Sequence, residues 1–195
     1  MSFPKSSALF KALINELRET AKAFGYGGLT RSQKANTCYA FAQIQPKGVD
    51  ELAAVIALGL QQKSTHEAVD RYVNSRATGD TTLTPFNKIE GVNELLVKTW
   101  GLLLYKEYAQ ILLEELTGSP YGVLPATVLL DRETLVQCLK AELKATLTER
   151  DVDILHEAFL MYTRIGMNSY RWCVEMAEKV IGSLSRKQCC EMKRL

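Results

Sequence analysis

The chain has 195 residues, 47% of them hydrophobic and 24% charged, and 24 Lys and Arg against 22 Asp and Glu leave a formal net charge of +2. This is ordinary globular usage and excludes the low-hydrophobicity, high-charge signature of disorder; a chain of this length buries roughly 70% of its unfolded surface, enough for one compact domain or two helical lobes. The five cysteines, Cys38, Cys138, Cys173, Cys189 and Cys190, are odd in number and scattered, which argues against a disulfide scaffold and for a reducing, intracellular setting.

Leu9, Phe10, Leu13, Ile14, Leu17, Ala21 and Phe24 recur with a 3.6-residue period and predict a first helix from Ser6, stopped by Gly25, Gly27 and Gly28. The charged and polar residues from Asn15 to Glu19 interrupt it too early for a signal peptide. Thr30 is placed to cap a second helix with Ala35, Tyr39, Phe41, Ala42 and Ile44, ended by Pro46 and Gly48. Asp50 opens a third with Leu52, Val55, Ile56, Leu58 and Leu60. Ser64-Thr65-His66-Glu67 has capping-box spacing and predicts the start of a fourth. Residues 77–91, rich in Thr and Gly with no helical stripe, predict a linker between an N-terminal lobe, 1–76, and a C-terminal lobe, 92–195.

A long apolar helix is predicted from Asn93 to Leu116. Lys98, Lys106, Glu107, Glu114 and Glu115 keep it from spanning a bilayer and suit it to the buried centre of a bundle. Gly118-Ser119-Pro120 ends it. Asp131 is a candidate N-cap for a helix through Leu135, Val136, Leu139 and Leu143, and Thr148-Glu149-Arg150-Asp151 resembles the capping box of the next, with Val152, Leu155, Phe159 and Tyr162. Asn168 is placed to cap a last helix bearing Trp172, Cys173, Met176, Val180 and Ile181, followed by a short basic tail from Ser183. Eight to nine helices and no alternating strand pattern predict an all-α multi-helix bundle.

Catalytic chemistry has little to draw on. His66 and His156 are the two histidines, neither with a placeable Cys partner, and Cys189-Cys190 has no second Cys or His pair with which to build a zinc site. The tail pair sits beside Arg186 and Lys187, a setting that favours thiolate and is also found at acylation sites. Gly25-Tyr26-Gly27-Gly28 lacks the flanking strand and the Gly-Lys-Thr of a phosphate loop. Leu147 to Phe159 resembles the first helix of a calmodulin-type EF-hand, but Thr163 to Asn168 supplies no carboxylates for calcium. Lys98-Thr99-Trp100-Gly101-Leu102 resembles the BH1 motif of apoptosis regulators, with Leu102 where that motif has Arg. The expectation is a non-enzymatic protein with no cofactor, no metal and no small-molecule substrate.

Charge gives the positive clue. Lys5, Lys11, Arg18, Lys22, Arg31, Lys34 and Lys47 face only Glu16 and Glu19 in the first 48 residues, and Arg186, Lys187, Lys193 and Arg194 face only Glu191 in the last thirteen. Both ends are basic and the middle is acidic. These eleven cations are the candidate membrane- or nucleic-acid-binding residues, and head-to-tail pairing of basic ends with acidic middles is the other consequence of the layout. In size, helical content and charge layout the chain is similar to the matrix proteins of influenza-like viruses. That resemblance implies helical lobes, self-assembly into a layer beneath a membrane, and contacts to anionic lipid and ribonucleoprotein in a cytoplasmic or virion setting. Two further expectations stand beside it: a nucleic-acid-coating protein, with Tyr26, Tyr39 and Phe41 among the cations for stacking, and a helical adaptor receiving a partner helix beside Trp100.

Overall fold

The computed structural model describes residues 6–25, 27–61, 63–79, 96–124, 126–165 and 168–192, with the side chains of 6, 121, 126, 165 and 185–192 outside the description. Among these residues the chain is all-helical. Nine α-helices follow in order: α1 Ser6–Ala23, α2 Arg31–Ile44, α3 Val49–Gly59, α4 His66–Thr78, α5 Lys106–Thr117, α6 Arg132–Cys138, α7 Ala141–Thr146, α8 Glu149–Ile165 and α9 Tyr170–Met192, with 3-10 turns at Tyr121–Val123 and Ala126–Leu129.

The chain forms two compact units. Unit 1 is Met1–Val69 with Tyr170–Leu195, and unit 2 is Asp70–Ser169. Unit 2 is one contiguous stretch, while unit 1 is made of both ends of the chain, because α9 returns to pack on α1 and α3. The expected division at 77–91 is therefore not where the compact units part; residues 80–91 lie outside the described residues, and α4 runs to Thr78.

In unit 1, α3 is the central element. Every residue from Leu52 to Gly59 is buried, the pattern of a helix apolar all round. The Thr30 capping box is complete: the Gln33 amide donates to the Thr30 hydroxyl, and the Gln33 side chain accepts from the Thr30 amide. Polar groups of α2 then cap the other end of α3, where Gln33 Nε2 donates to the Leu60 carbonyl at 2.8 Å and Asn36 Nδ2 to those of Gln61 at 3.0 Å and Lys63 at 2.7 Å. These bonds satisfy carbonyls of the connection that leaves α3, while the helix's own last carbonyls at Ala57 and Leu58 accept from Gln61 Nε2 and the Thr65 hydroxyl. They also explain why Asn36, a polar residue on the inner face of α2, is buried. The Tyr170 hydroxyl donates to Asp50 Oδ1 at 3.0 Å, joining the first turns of α9 and α3. Partial burial, and then that bond, push the phenol up to about 12.

Gln45 ends α2 with φ of 47°. A left-handed conformation costs an L-residue roughly 1–2 kcal/mol, and the exposed Gln45 side chain offers no packing to offset it. Gln45→Gly should raise stability by about 0.5–1 kcal/mol in urea titration, part of the relief being returned as unfolded-state entropy. An unchanged midpoint would show that the turn carries no such strain.

In unit 2 the expected helix from Asn93 to Leu116 is not continuous. Asn93 to Leu95 lie outside the described residues; beyond them a short helical turn at Leu96–Val97 ends in a Schellman motif, with Gly101 N donating to Leu96 O at 3.0 Å and Trp100 N to Val97 O at 3.3 Å. Trp100 takes φ 54° and Gly101 φ 81°. The Thr99 hydroxyl, which donates to Leu102 O at 2.7 Å, fastens the reversal. Leu102 to Tyr105 then run without helix, all four buried, and Lys106 N donates to Asn168 O at 3.1 Å before α5 begins. Trp100 thus stands in a turn and not within a helix.

Three other boundaries differ from expectation. The helix capped by Asp131 divides into α6 and α7, because the Lys140 amide leaves the helical ladder to donate to Leu116 O at 2.9 Å. Asn168 is spent on the bridge to Tyr105, so α9 starts at Tyr170. The expected basic tail continues α9 as helix to Met192. The two predicted caps of unit 2 form: Thr134 N donates to Asp131 Oδ2 at 2.7 Å, and Thr148 and Asp151 exchange bonds of 2.8 and 3.2 Å. The Thr134 hydroxyl and amide hold the Asp131 carboxyl below its usual range.

Candidate functional site

The cations of α1 lie on one line. Lys11, Arg18 and Lys22 are seven and eleven residues apart, which at 100° per residue puts them within about 20° of a common face over roughly 17 Å. All three are exposed. Of the acids that share the helix, Glu16 is engaged by Lys179, whose Nζ lies 2.8 Å away, while Glu19 pairs within the stripe with Lys22 at 2.8 Å, and the Lys22 contact and the nearby Arg18 hold its carboxyl below its usual range. Lys11 and Arg18 make no ion pair among the described residues. Just past the end of α1, Phe24 is 69% exposed.

α1 and α2 run antiparallel. Phe10 and Phe41 meet with ring centroids 5.0 Å apart, and near the other end Gly28 sits beside the Arg18 side chain. Between the helices is an open cleft of about 640 Å³ lined by Ser7, Phe10, Cys38, Phe41 and Ala42. Arg31, Lys34 and Ala35 are exposed on α2 but lie outside that lining. Arg31 and Lys34 make no ion pair among the described residues.

Of the other expected contacts, Lys47 is exposed in the connection from α2 to α3. Lys5, Lys193 and Arg194 lie outside the described residues, as do the side chains of Arg186, Lys187, Cys189 and Cys190. Five cations therefore gather on α1 and α2. The cleft is hidden in the sequence because Phe10 and Phe41 read equally well as core, and its only signal is the exposed small-residue line Ala35, Cys38, Ala42 at helical spacing.

Both histidines have structural surroundings. His66 stacks on Tyr39 at 3.9 Å between centroids, and His156 Nε2 lies 3.1 Å from Leu130 O. Among the described residues no three His, Cys, Asp or Glu side chains group as metal ligands, and no helix is long and apolar enough to cross a membrane. The small hollow in unit 2 beneath Leu102, Leu103 and Ala158, about 10 Å³, has room for one water.

Unit 2 carries the opposite surface. On α8, Glu149, Asp153 and Glu157 repeat every four residues along one exposed line, and Arg132 of α6 reaches across to Glu149 and, at 2.7 Å, to Asp153. Leu130, just after the second 3-10 turn and bonded through its carbonyl to His156 of α8, is 56% exposed, and Val123 of the first 3-10 turn is 76% exposed.

Counted by unit, the charge layout becomes a division. The segments 1–69 and 170–195 of unit 1 hold fourteen Lys and Arg against eight Asp and Glu, and unit 2 holds ten against fourteen. Unit 1 is thus +6 and unit 2 is −4, with Lys5, Lys193 and Arg194 of unit 1 and Asp80, Lys88, Glu90 and Glu94 of unit 2 contributing from outside the described residues. No protein-family model, no curated protein and no solved structure matches the chain.

Proposed function

We propose that the chain is a non-enzymatic assembly protein that self-associates and lies against an anionic membrane surface, the role implied by its resemblance to viral matrix proteins. The observation that carries this reading is the folding of both basic ends into one cationic unit, with the compensating acids in the other. Magnitudes join the two halves of the reading. Each Lys or Arg near an anionic bilayer contributes about 1 kcal/mol, so the three of the α1 stripe give a single copy roughly millimolar binding. An array multiplies that through avidity. Phe24, exposed just past the end of α1, is an apolar side chain of the kind found at membrane interfaces.

Nucleic acid is less well served. Phe41 is buried against Phe10 and Tyr39 is stacked on His66, so neither ring is presented to a base. Tyr26 lies outside the described residues.

Size-exclusion chromatography with light scattering, run across protein concentration and salt, tests the reading together with flotation on phosphatidylserine vesicles. The expected result is mass that grows with concentration and shrinks with salt, and flotation at low salt. A monomer at every concentration, or no flotation at low salt, would remove the corresponding half.

A further inference from the structure

We infer that residues 1–5 of the chain fold back over the cleft between α1 and α2, bringing the Phe3 side chain onto Phe10 and sheltering the Cys38 thiol. The inference goes beyond the assembly reading and does not depend on it.

The lining calls for an apolar occupant. Ser7, Phe10, Cys38, Phe41 and Ala42 bring two aromatic rings, a methyl, a thiol and a hydroxyl to the cleft, and none of them carries a charge. Phe41 is buried, whereas Phe10 is half-buried and has ring surface left to cover.

Connectivity selects the occupant. The described chain begins at Ser6, next to Ser7 of the lining, so residues 1–5 start from the mouth of the cleft. They read Met-Ser-Phe-Pro-Lys and carry two large apolar side chains, Phe3 and Met1. Phe3 stands four residues before Ser7, a reach of up to roughly 13 Å, while Phe10 lies about 4.5 Å further along the α1 axis than Ser7. The tether is therefore long enough. Pro4 disfavours helical backbone at Phe3, which turns the chain off the α1 axis and lets it double back. An apolar residue just ahead of a helix that packs on its first turns is a familiar way of fixing the entry of the chain, and the flexible Met1 thioether suits the edge of an aromatic pair. A tethered segment also meets the cleft at an effective concentration in the millimolar range, which a free partner at lower concentration does not match. An outside apolar ligand would reach Phe10 only by displacing it.

Alkylation of Cys38 by iodoacetamide, followed by peptide mass spectrometry, tests this at two protein concentrations, with Cys138 of unit 2 as the internal reference. Circular dichroism and melting confirm that each variant folds. Phe3→Ser should speed modification of Cys38 about tenfold, the factor that corresponds to about 1.4 kcal/mol. Cys138 should not change, and Phe3→Leu, still apolar, should keep the wild-type rate. Equal Cys38 rates in the wild-type chain and Phe3→Ser overturn the inference. So does a Cys38 rate indifferent to Phe3 that falls as protein concentration rises, which assigns the cleft to a second copy. A rate that falls only on adding phosphatidylserine vesicles assigns it to the bilayer and overturns the inference as well.

Discussion

Gly59→Ala should destabilise the chain by about 2 kcal/mol, a large share of the roughly 5–15 kcal/mol typical of a folded chain. A Cβ at Gly59 would lie 2.4 Å from Thr37 Oγ1 and 2.9 Å from Thr37 Cα. The hydroxyl cannot swing away freely, because it donates to Gln33 O at 2.7 Å in a fully buried setting. The backbone atom cannot move without shifting α2. Overpacking of this kind costs roughly 1–3 kcal/mol or more, against a helix-propensity gain for Ala of about 1. Thr37→Ala in the same chain removes the oxygen but leaves the clash with the α2 backbone, so the double variant should recover only part of the loss. Urea titration of the four chains of the cycle measures it. Equal stability of Gly59→Ala and wild type would mean that α2 and α3 do not approach as closely as the structure has them.

How far the sequence reveals these features depends on the physical kind of signal. Caps are legible: Thr30, Asp131 and Thr148 act locally, through a side chain bonding an amide three residues on, and each forms where its spacing indicates. The stop at Trp100 is not. Its neighbours Leu96, Leu102, Leu103 and Leu104 are all buried, and an unbroken apolar run has the same pattern whether it is a helix or an extended segment packed on all sides. What decides it is the Schellman reversal, carried by a left-handed Trp that no propensity favours. The helix buried all round is likewise not where the apolar run suggests: in unit 1 it is α3, though its eleven residues look like a lesser helix than the Asn93 to Leu116 stretch. For the site, the cations are visible as charge, while their gathering is not. Lys11 and Arg18 align because seven residues make two helical turns, but Arg31 and Lys34 join them only because α2 folds back antiparallel, and the C-terminal cations share their unit only because α9 returns to α3.

Replacing Lys11, Arg18 and Lys22 together with Gln should weaken binding to phosphatidylserine vesicles by about 150-fold per copy, the loss of roughly 1 kcal/mol at each of three cations. The fold should hardly notice. All three side chains are exposed, and the one bond lost is the surface pair of Lys22 with Glu19, worth little in water. A matched control replaces Lys106, Lys144 and Arg150 of unit 2, which changes net charge equally on the acidic unit. If the α1 stripe is the membrane face, flotation falls steeply with the first set and little with the second; if net charge alone drives binding, the two sets fall together. Salt separates the remaining contribution. At about 1 M the Debye length shrinks to roughly 3 Å and the cations are screened, so whatever flotation survives belongs to apolar insertion, and Phe24→Ser should remove it. Because binding of an array compounds the per-copy loss, the variant's effect should also be greater at protein concentrations where the wild-type chain assembles than where it is monomeric.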